Sequence, residues 1–237
     1  MAILQVKQLS KSFQIHHLQK KMQAVKNIHF SLHKGEFIGI VGKSGSGKST
    51  ILKSIYRTYL PEEGEILYES ARFGCLDLAK ATARQIIYLR KHEIGYVSQF
   101  LNVMPRITSR QLVENALLEV DYPIELAKDR AEETLRHFDL DEALWDAYPN
   151  TFSGGEKLRL NISIATVKKP RLLLLDEPTA SLDAISKEKV RQIIEKLKRQ
   201  GTTLVGIFHD LAFMEGLCDK VFEMEAQQTN TFVKDRV

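Results

Sequence analysis

Two glycine-rich segments and one pair of adjacent carboxylates are the residues of this chain best suited to chemistry. Gly42-Lys43-Ser44-Gly45-Ser46-Gly47-Lys48-Ser49 completes the pattern Gly-x-x-x-x-Gly-Lys-Ser/Thr. Glycines without a Cβ let the backbone wind closely around a phosphate chain. The wound N–H groups, with the positive end of a following helix, make an anion nest. Lys48 supplies a point charge for β- and γ-phosphates, Ser49 a hard oxygen for Mg²⁺, and Thr50 reaches the α-phosphate side. The octapeptide implies a nucleoside triphosphate ligand. Leu172-Leu173-Leu174-Leu175-Asp176-Glu177-Pro178 is an apolar run ending in two acids. Asp176 suits the Mg²⁺ site. Glu177 suits activation of a water, on the reasoning that neighbours on a strand point to opposite sides. Thr151-Phe152-Ser153-Gly154-Gly155-Glu156 opens a helical stretch and offers a second anion site at a helix start.

These groups need elements to hold them. Residues 3–7 and 27–33 read as strands, with residues 16–23 between them a loop or hairpin tip. Residues 36–41 form a buried-type strand running into the glycine loop, followed by a helix over 49–60, an α/β unit. Residues 94–98 predict another strand. From about 106 to 163 the pattern turns helical, with Ile124, Ala127, Ala131, Leu135 and Phe138 recurring at helical spacing. Strands at 172–175 and 203–208 flank a helix over 186–200 whose apolar face is Val190, Ile193, Ile194 and Leu197, and Gly201 follows as a left-handed cap. That βαβ unit requires parallel pairing. The polar tail after Glu225 is expected to be peripheral.

Composition excludes several classes. The chain has 237 residues, 43% hydrophobic and 27% charged, with 34 basic against 30 acidic residues and a net charge of +4. That is ordinary globular composition, without the charge imbalance of a nucleic-acid-binding arm. Cys75 and Cys218 form neither a metal-ligand spacing nor a disulfide framework, which fits a reducing compartment. The N-terminus lacks the pattern of a signal peptide, and no apolar run reaches the roughly 18 residues of a membrane span. A cytoplasmic, soluble chain is the expectation.

Taken together, the motifs resemble those of the ABC ATPase nucleotide-binding domains, in order and over nearly the whole chain. Phe152-Ser153-Gly154-Gly155-Glu156 is similar to that family's Leu-Ser-Gly-Gly-Gln signature, with Glu156 in place of Gln. Ser181-Leu182-Asp183 resembles its D-loop, Gln99 its Q-loop glutamine, His209 its switch histidine and Phe13 the aromatic that stacks on adenine. The resemblance implies an α/β P-loop fold with an N-terminal antiparallel β subdomain, a RecA-like parallel core and a helical subdomain inserted at about 100–164. It further implies Mg²⁺-dependent ATP hydrolysis with Glu177, His209 and Gln99 catalytic, and Ser49, Gln99 and Asp176 around the metal. The expected partner is a second ABC subunit, identical or related, whose Ser153-Gly154-Gly155 and Asp183 would face ATP held by the phosphate loop. No direct nucleic-acid contact is implied.

Within the family, the phrases 59–64, Val97-Ser98-Gln99-Phe100-Leu101, Pro105-Arg106-Ile107 and Phe208-His209-Asp210 resemble the ATPase subunit of the bacterial carbon–phosphorus lyase system. That implies soluble partners of phosphonate degradation and a place in a ribose methylphosphonate triphosphate synthase complex. The alternative is the motor of a membrane transporter for lipoprotein release or for import of phosphonate or another substrate. A permease would dock on the apolar surface of Phe100, Leu101, Val103 and Met104.

Overall fold

The computed structural model describes residues 2–15, 20–101, 106–180, 182–224 and 233–235. Two sheets form the frame. The antiparallel sheet has the order β2-β1-β4-β5, from β1 (Ala2–Ile15), β2 (Lys20–His33), β4 (Glu63–Ser70) and β5 (Gly74–Asp77). The second sheet has the order β10-β9-β3-β8-β7-β6, from β3 (Phe37–Gly42), β6 (Ile94–Val97), β7 (Leu172–Asp176), β8 (Thr203–Ile207), β9 (Lys220–Met224) and β10 (Val233–Asp235). Its strands β9, β3, β8, β7 and β6 run parallel, and β10 pairs antiparallel on the edge. This is the expected α/β fold of a P-loop ATPase.

The four leucines of β7 show why the parallel sheet is fixed. Leu172 to Leu175 are fully buried, two facing each side: Leu172 and Leu174 meet the core under the antiparallel sheet, Leu173 and Leu175 the core under α6 (Ala184–Arg199). Each buried leucine contributes about 1.5–3 kcal/mol, so the run anchors the strand in the sheet from both sides. On α6 the buried residues are Val190, Ile193, Ile194 and Leu197, the face read from the spacing, and Gly201 adopts φ +86° just past the helix.

Between β6 and β7, the described residues hold only helices: α3 (Ser109–Leu118), α4 (Ile124–His137), two short 3₁₀ turns and α5 (Gly154–Thr166). They enclose a separate core around Trp145, whose indole N–H donates to Leu140 O at 2.9 Å. Helix α5 sits at the junction. Leu158 and Ile162 pack on the sheet, Leu160 on the helical core, and the amide of Asn161 donates to Ser98 O at 3.0 Å.

Four expectations change. Residues 20–23 are strand, paired to Ile15 through Ser12; Lys21, Met22 and Gln23 are all exposed, so the pairing leaves no alternation to read, and residues 16–19 lie outside the described residues. The helix α1 (Lys48–Ile55) stops short of residue 60: Tyr56 caps it, and Arg57 turns left-handed at φ 66°, held by its Nε donating to Leu78 O. Ile124 begins α4 but is 74% exposed, since the first turn overhangs the core that Ala127, Ala131 and Leu135 enter; Phe138 packs instead with the sheet. Of the polar tail, Val233–Asp235 is an edge strand on β9, and 225–232 lie outside the described residues.

Candidate functional site

The site forms along the carboxyl ends of β3, β8, β7 and β6, where ligands bind in open parallel sheets. From β3 the chain enters the loop at Gly42 and becomes α1 at Lys48. The N-cap of α1 is Gly47, at φ 92° and with no side-chain cap; a Cβ there would lie 2.2 Å from Ala24 O on β2. Only glycine fits, and no side chain of the loop claims the donors of the first turn. Lys48 is 4% exposed and its ammonium donates to Gly42 O and Lys43 O, each at 2.9 Å. Burial holds this lysine below the usual range, and the nearby Glu177 carboxylate works against that shift.

Ser49 Oγ donates to Asp176 Oδ1 at 2.8 Å, and Tyr96 Oη donates to Asp176 Oδ2 at 2.6 Å. Burying a carboxylate costs several kcal/mol; two hydroxyl donors, at about 1.5–3 kcal/mol each, hold Asp176 in place at 7% exposure. A serine hydroxyl beside one carboxylate is a hard-oxygen donor pair of the kind Mg²⁺ uses when phosphates complete its shell. Among the described residues no group of three or more His, Cys, Asp or Glu could hold a metal by itself. The donor set therefore fits a cation brought in with a phosphate chain.

Glu177 follows the end of β7 and takes φ 53°. Its divergence from Asp176 thus comes from a left-handed turn, not from strand alternation. Glu177 Oε1 lies 2.8 Å from His209 Nε2, on the loop that leaves β8. The two residues read separately from the sequence lie side by side. Gln99 is exposed where the chain leaves β6 and is hydrogen-bonded to neither Ser49 nor Asp176. The backbone around it is pinned: Ser98 Oγ donates to Phe100 O at 2.6 Å, and Asn161 holds Ser98 O.

Phe13 is half-buried on β1, two positions along the hairpin from Lys11, which pairs with Val25 beside Gly47. The Tyr59 ring meets it edge-on at 5.0 Å and Lys11 Nζ lies 5.4 Å from its centroid. Ser153 and Glu156 form a capping box at the start of α5, with Glu156 Oε2 accepting from Ser153 N at 2.7 Å. A Cβ on Gly155 would lie 2.7 Å from Ser186 Oγ, so the start of α5 abuts the start of α6. There Asp183 caps α6, and hydrogen bonds from the Ser186 N–H and hydroxyl hold its carboxyl below the usual range. Ser153, Gly154, Gly155 and Asp183 thus form a patch on α5 and α6, apart from the phosphate loop; Ser181 lies outside the described residues. Sequence reasoning missed Tyr96, Tyr59 and Asn161. Only Tyr59 left a signal, in the aromatic just before Leu60-Pro61.

A cavity of about 540 Å³ lies at the opposite end of the sheet, against the C-terminal ends of α4, α5 and α6. Two of its arginines are engaged, Arg130 with Glu133 and Arg171 with Glu69 O and Glu93, and His137 Nδ1 lies 3.2 Å from Lys196 Nζ.

Residues 25–180 match the family model described as ABC transporter. The HrtA ATP-binding protein of Staphylococcus haemolyticus, named for hemin import, is 36% identical over 224 residues, covering 94% of this chain and 96% of that protein. The lipoprotein-releasing system ATP-binding protein LolD of Aquifex aeolicus is 33% identical over 203 residues, covering 86% and 88%. A dimeric, post-hydrolysis structure of the ATP-binding cassette MJ0796, bound to ADP and Pi, superposes with a TM-score of 0.86 at 28% identity over 98% of each chain.

Proposed function

The chain belongs to the ABC transporter ATP-binding family, and on that premise we propose that it is the ATP-hydrolysing motor of a membrane transporter. Family membership implies ATP binding and hydrolysis. Among the described residues no helix is long and apolar enough to cross a membrane; the transport reading pairs this ATPase with a permease. One observation carries the reading. Phe100 is 68% exposed beside Gln99, where the sheet meets the helical block, while Leu101 packs against that block. An exposed aromatic next to a residue assigned to the catalytic edge gives a partner something to push on. Val103 and Met104 lie outside the described residues.

In this reading the N–H groups of residues 42–49 and the Lys48 ammonium hold the triphosphate. Phe13 offers its ring to the base. Ser49 and Asp176 would hold Mg²⁺, with Gln99 approaching from β6; when bound, the ion neutralises charge on the β- and γ-phosphates. Glu177 takes the proton of the attacking water, with His209 engaging Oε1 and leaving Oε2 for the water. Ser153, Gly154, Gly155 and Asp183 serve a second subunit in a head-to-tail dimer, as in ATP-driven association that hydrolysis releases.

A second reading, the ATPase of a carbon–phosphorus lyase complex, rests on the resemblance of short phrases such as Phe208-His209-Asp210. Phe208 is buried between Phe37 and Phe213, in the core behind His209. The relatives above carry transporter names and favour the permease. Affinity purification of the chain from its native cells separates the two. A polytopic membrane protein in stoichiometric amount is expected; soluble phosphonate-degrading subunits instead would overturn the transporter reading.

A further inference from the structure

Among the described residues, Tyr96 is the partner of the Asp176 carboxylate that no motif accounts for. It lies on β6, opposite Leu174 in the register of β7. Its ring packs on Tyr56 at 4.9 Å, and Tyr56 is the C-cap of α1, whose first turn carries Ser49. The Tyr56 ring is in turn covered by the Arg90 guanidinium at 4.5 Å, and Arg90 donates twice to Tyr56 O. So α1 supplies one donor to Asp176 directly and braces the other through its far end. Both carboxylate oxygens are taken by hydroxyl donors of fixed position. Burial and the Asp176 charge both push the Tyr96 phenol up, which keeps it a donor.

We propose that Tyr96 is a positioning residue for Mg²⁺: its phenol clamps Oδ2 of Asp176, so that Oδ1, beside the Ser49 hydroxyl, is the oxygen presented to the cation. The inference rests on the Mg²⁺ reading above. A carboxylate free to rotate about its own axis presents either oxygen, or both; a clamped one presents a single ligand in a single direction. Groups that orient a metal ligand typically carry about 10–100-fold in metal affinity.

The test compares ADP dissociation constants measured by calorimetry in EDTA and in saturating Mg²⁺. Their ratio is the coupling between nucleotide and metal. Tyr96→Phe keeps the ring on Tyr56 and removes only the hydroxyl. It is expected to leave the EDTA constant and the melting temperature near wild type while lowering the Mg²⁺ ratio about tenfold. An unchanged ratio, where the wild type shows strong Mg²⁺ coupling, overturns the role of Tyr96 alone. A wild-type ratio of one overturns the Mg²⁺ site and the proposal with it. A variant whose EDTA constant weakens as much as its Mg²⁺ constant assigns Tyr96 to packing and also overturns the proposal.

Discussion

Helices α1 and α5 both begin on serine and glycine, yet their first turns are satisfied in opposite ways. At α1 the N-cap is a glycine with no side-chain cap, and Lys48 folds inward onto the loop's own carbonyls. At α5 the N-cap is Ser153, closed by a reciprocal capping box with Glu156. The first end keeps its donors unclaimed by side chains and adds a buried cation. The second is stable by itself and adds an anion. A capping box contributes on the order of 1 kcal/mol to a helix; α1 forgoes it and is held by tertiary packing, with Ile51, Leu52 and Ile55 fully or almost fully buried. The difference separates a site built around a ligand from a surface that joins one late.

The largest expected effect tests the first half of that contrast. Lys48→Ala removes the buried cation and should weaken ATP binding roughly 100-fold or more, the equivalent of losing a charge-assisted contact of about 3 kcal/mol. Filter binding or calorimetry checks it. Affinity near wild type would mean that the α1 end is not the phosphate site, and the contrast with α5 would lose its basis.

How much of this was legible follows the same line. The α1 loop and the end of β7 are written in local residue types, because phosphate binding needs glycines and a lysine at set spacing and a buried strand needs a run of leucines. The apolar face of α6 was legible for a similar reason, since a 3.6-residue period records which side is covered. The pairing of Glu177 with His209 was not. It depends on the left-handed turn at Glu177 and on the adjacency of β7 and β8, and nothing at position 177 itself announces a positive φ. Tyr96 was hidden because a tyrosine in a short strand reads as core until the residue across from it is known. The polar end of β2 was misread because it is a solvated ribbon, where pairing leaves no hydrophobic trace.

The next effect sharpens the contrast by separating binding from turnover. Glu177→Gln keeps the size of the side chain and an oxygen beside His209 Nε2, but cannot take a proton from water. Hydrolysis should fall about 10²–10⁴-fold, measured as phosphate release, with ATP affinity retained. ATP should then hold a dimer detectable by sedimentation, since association proceeds and release does not. Turnover near wild type would remove Glu177 from the base role. A variant that binds ATP and stays monomeric would show that the α5 end does not close over nucleotide.

The smallest effect concerns Glu156, where the α5 end departs from the family's glutamine. Its carboxylate accepts from Ser153 N–H, and a glutamine carbonyl can accept the same bond, so Glu156→Gln preserves the capping box. What it removes is one negative charge at the helix start. Within the free subunit that charge is favourable, worth about 0.3–1 kcal/mol against the helix dipole, so the variant should melt slightly lower. Toward a partner's triphosphate the same charge is repulsive, and losing it should tighten the ATP-held dimer by roughly two- to fivefold. Sedimentation in the Glu177→Gln background, where ATP is not consumed, measures that change apart from turnover. The two signs are opposed: a lower melting temperature with a tighter dimer is the mark of an end made stable alone at the expense of closure. A dimer constant unmoved by Glu156→Gln would mean that this carboxylate does not face the nucleotide at all, and the self-capped end of α5 would then be a purely structural helix start.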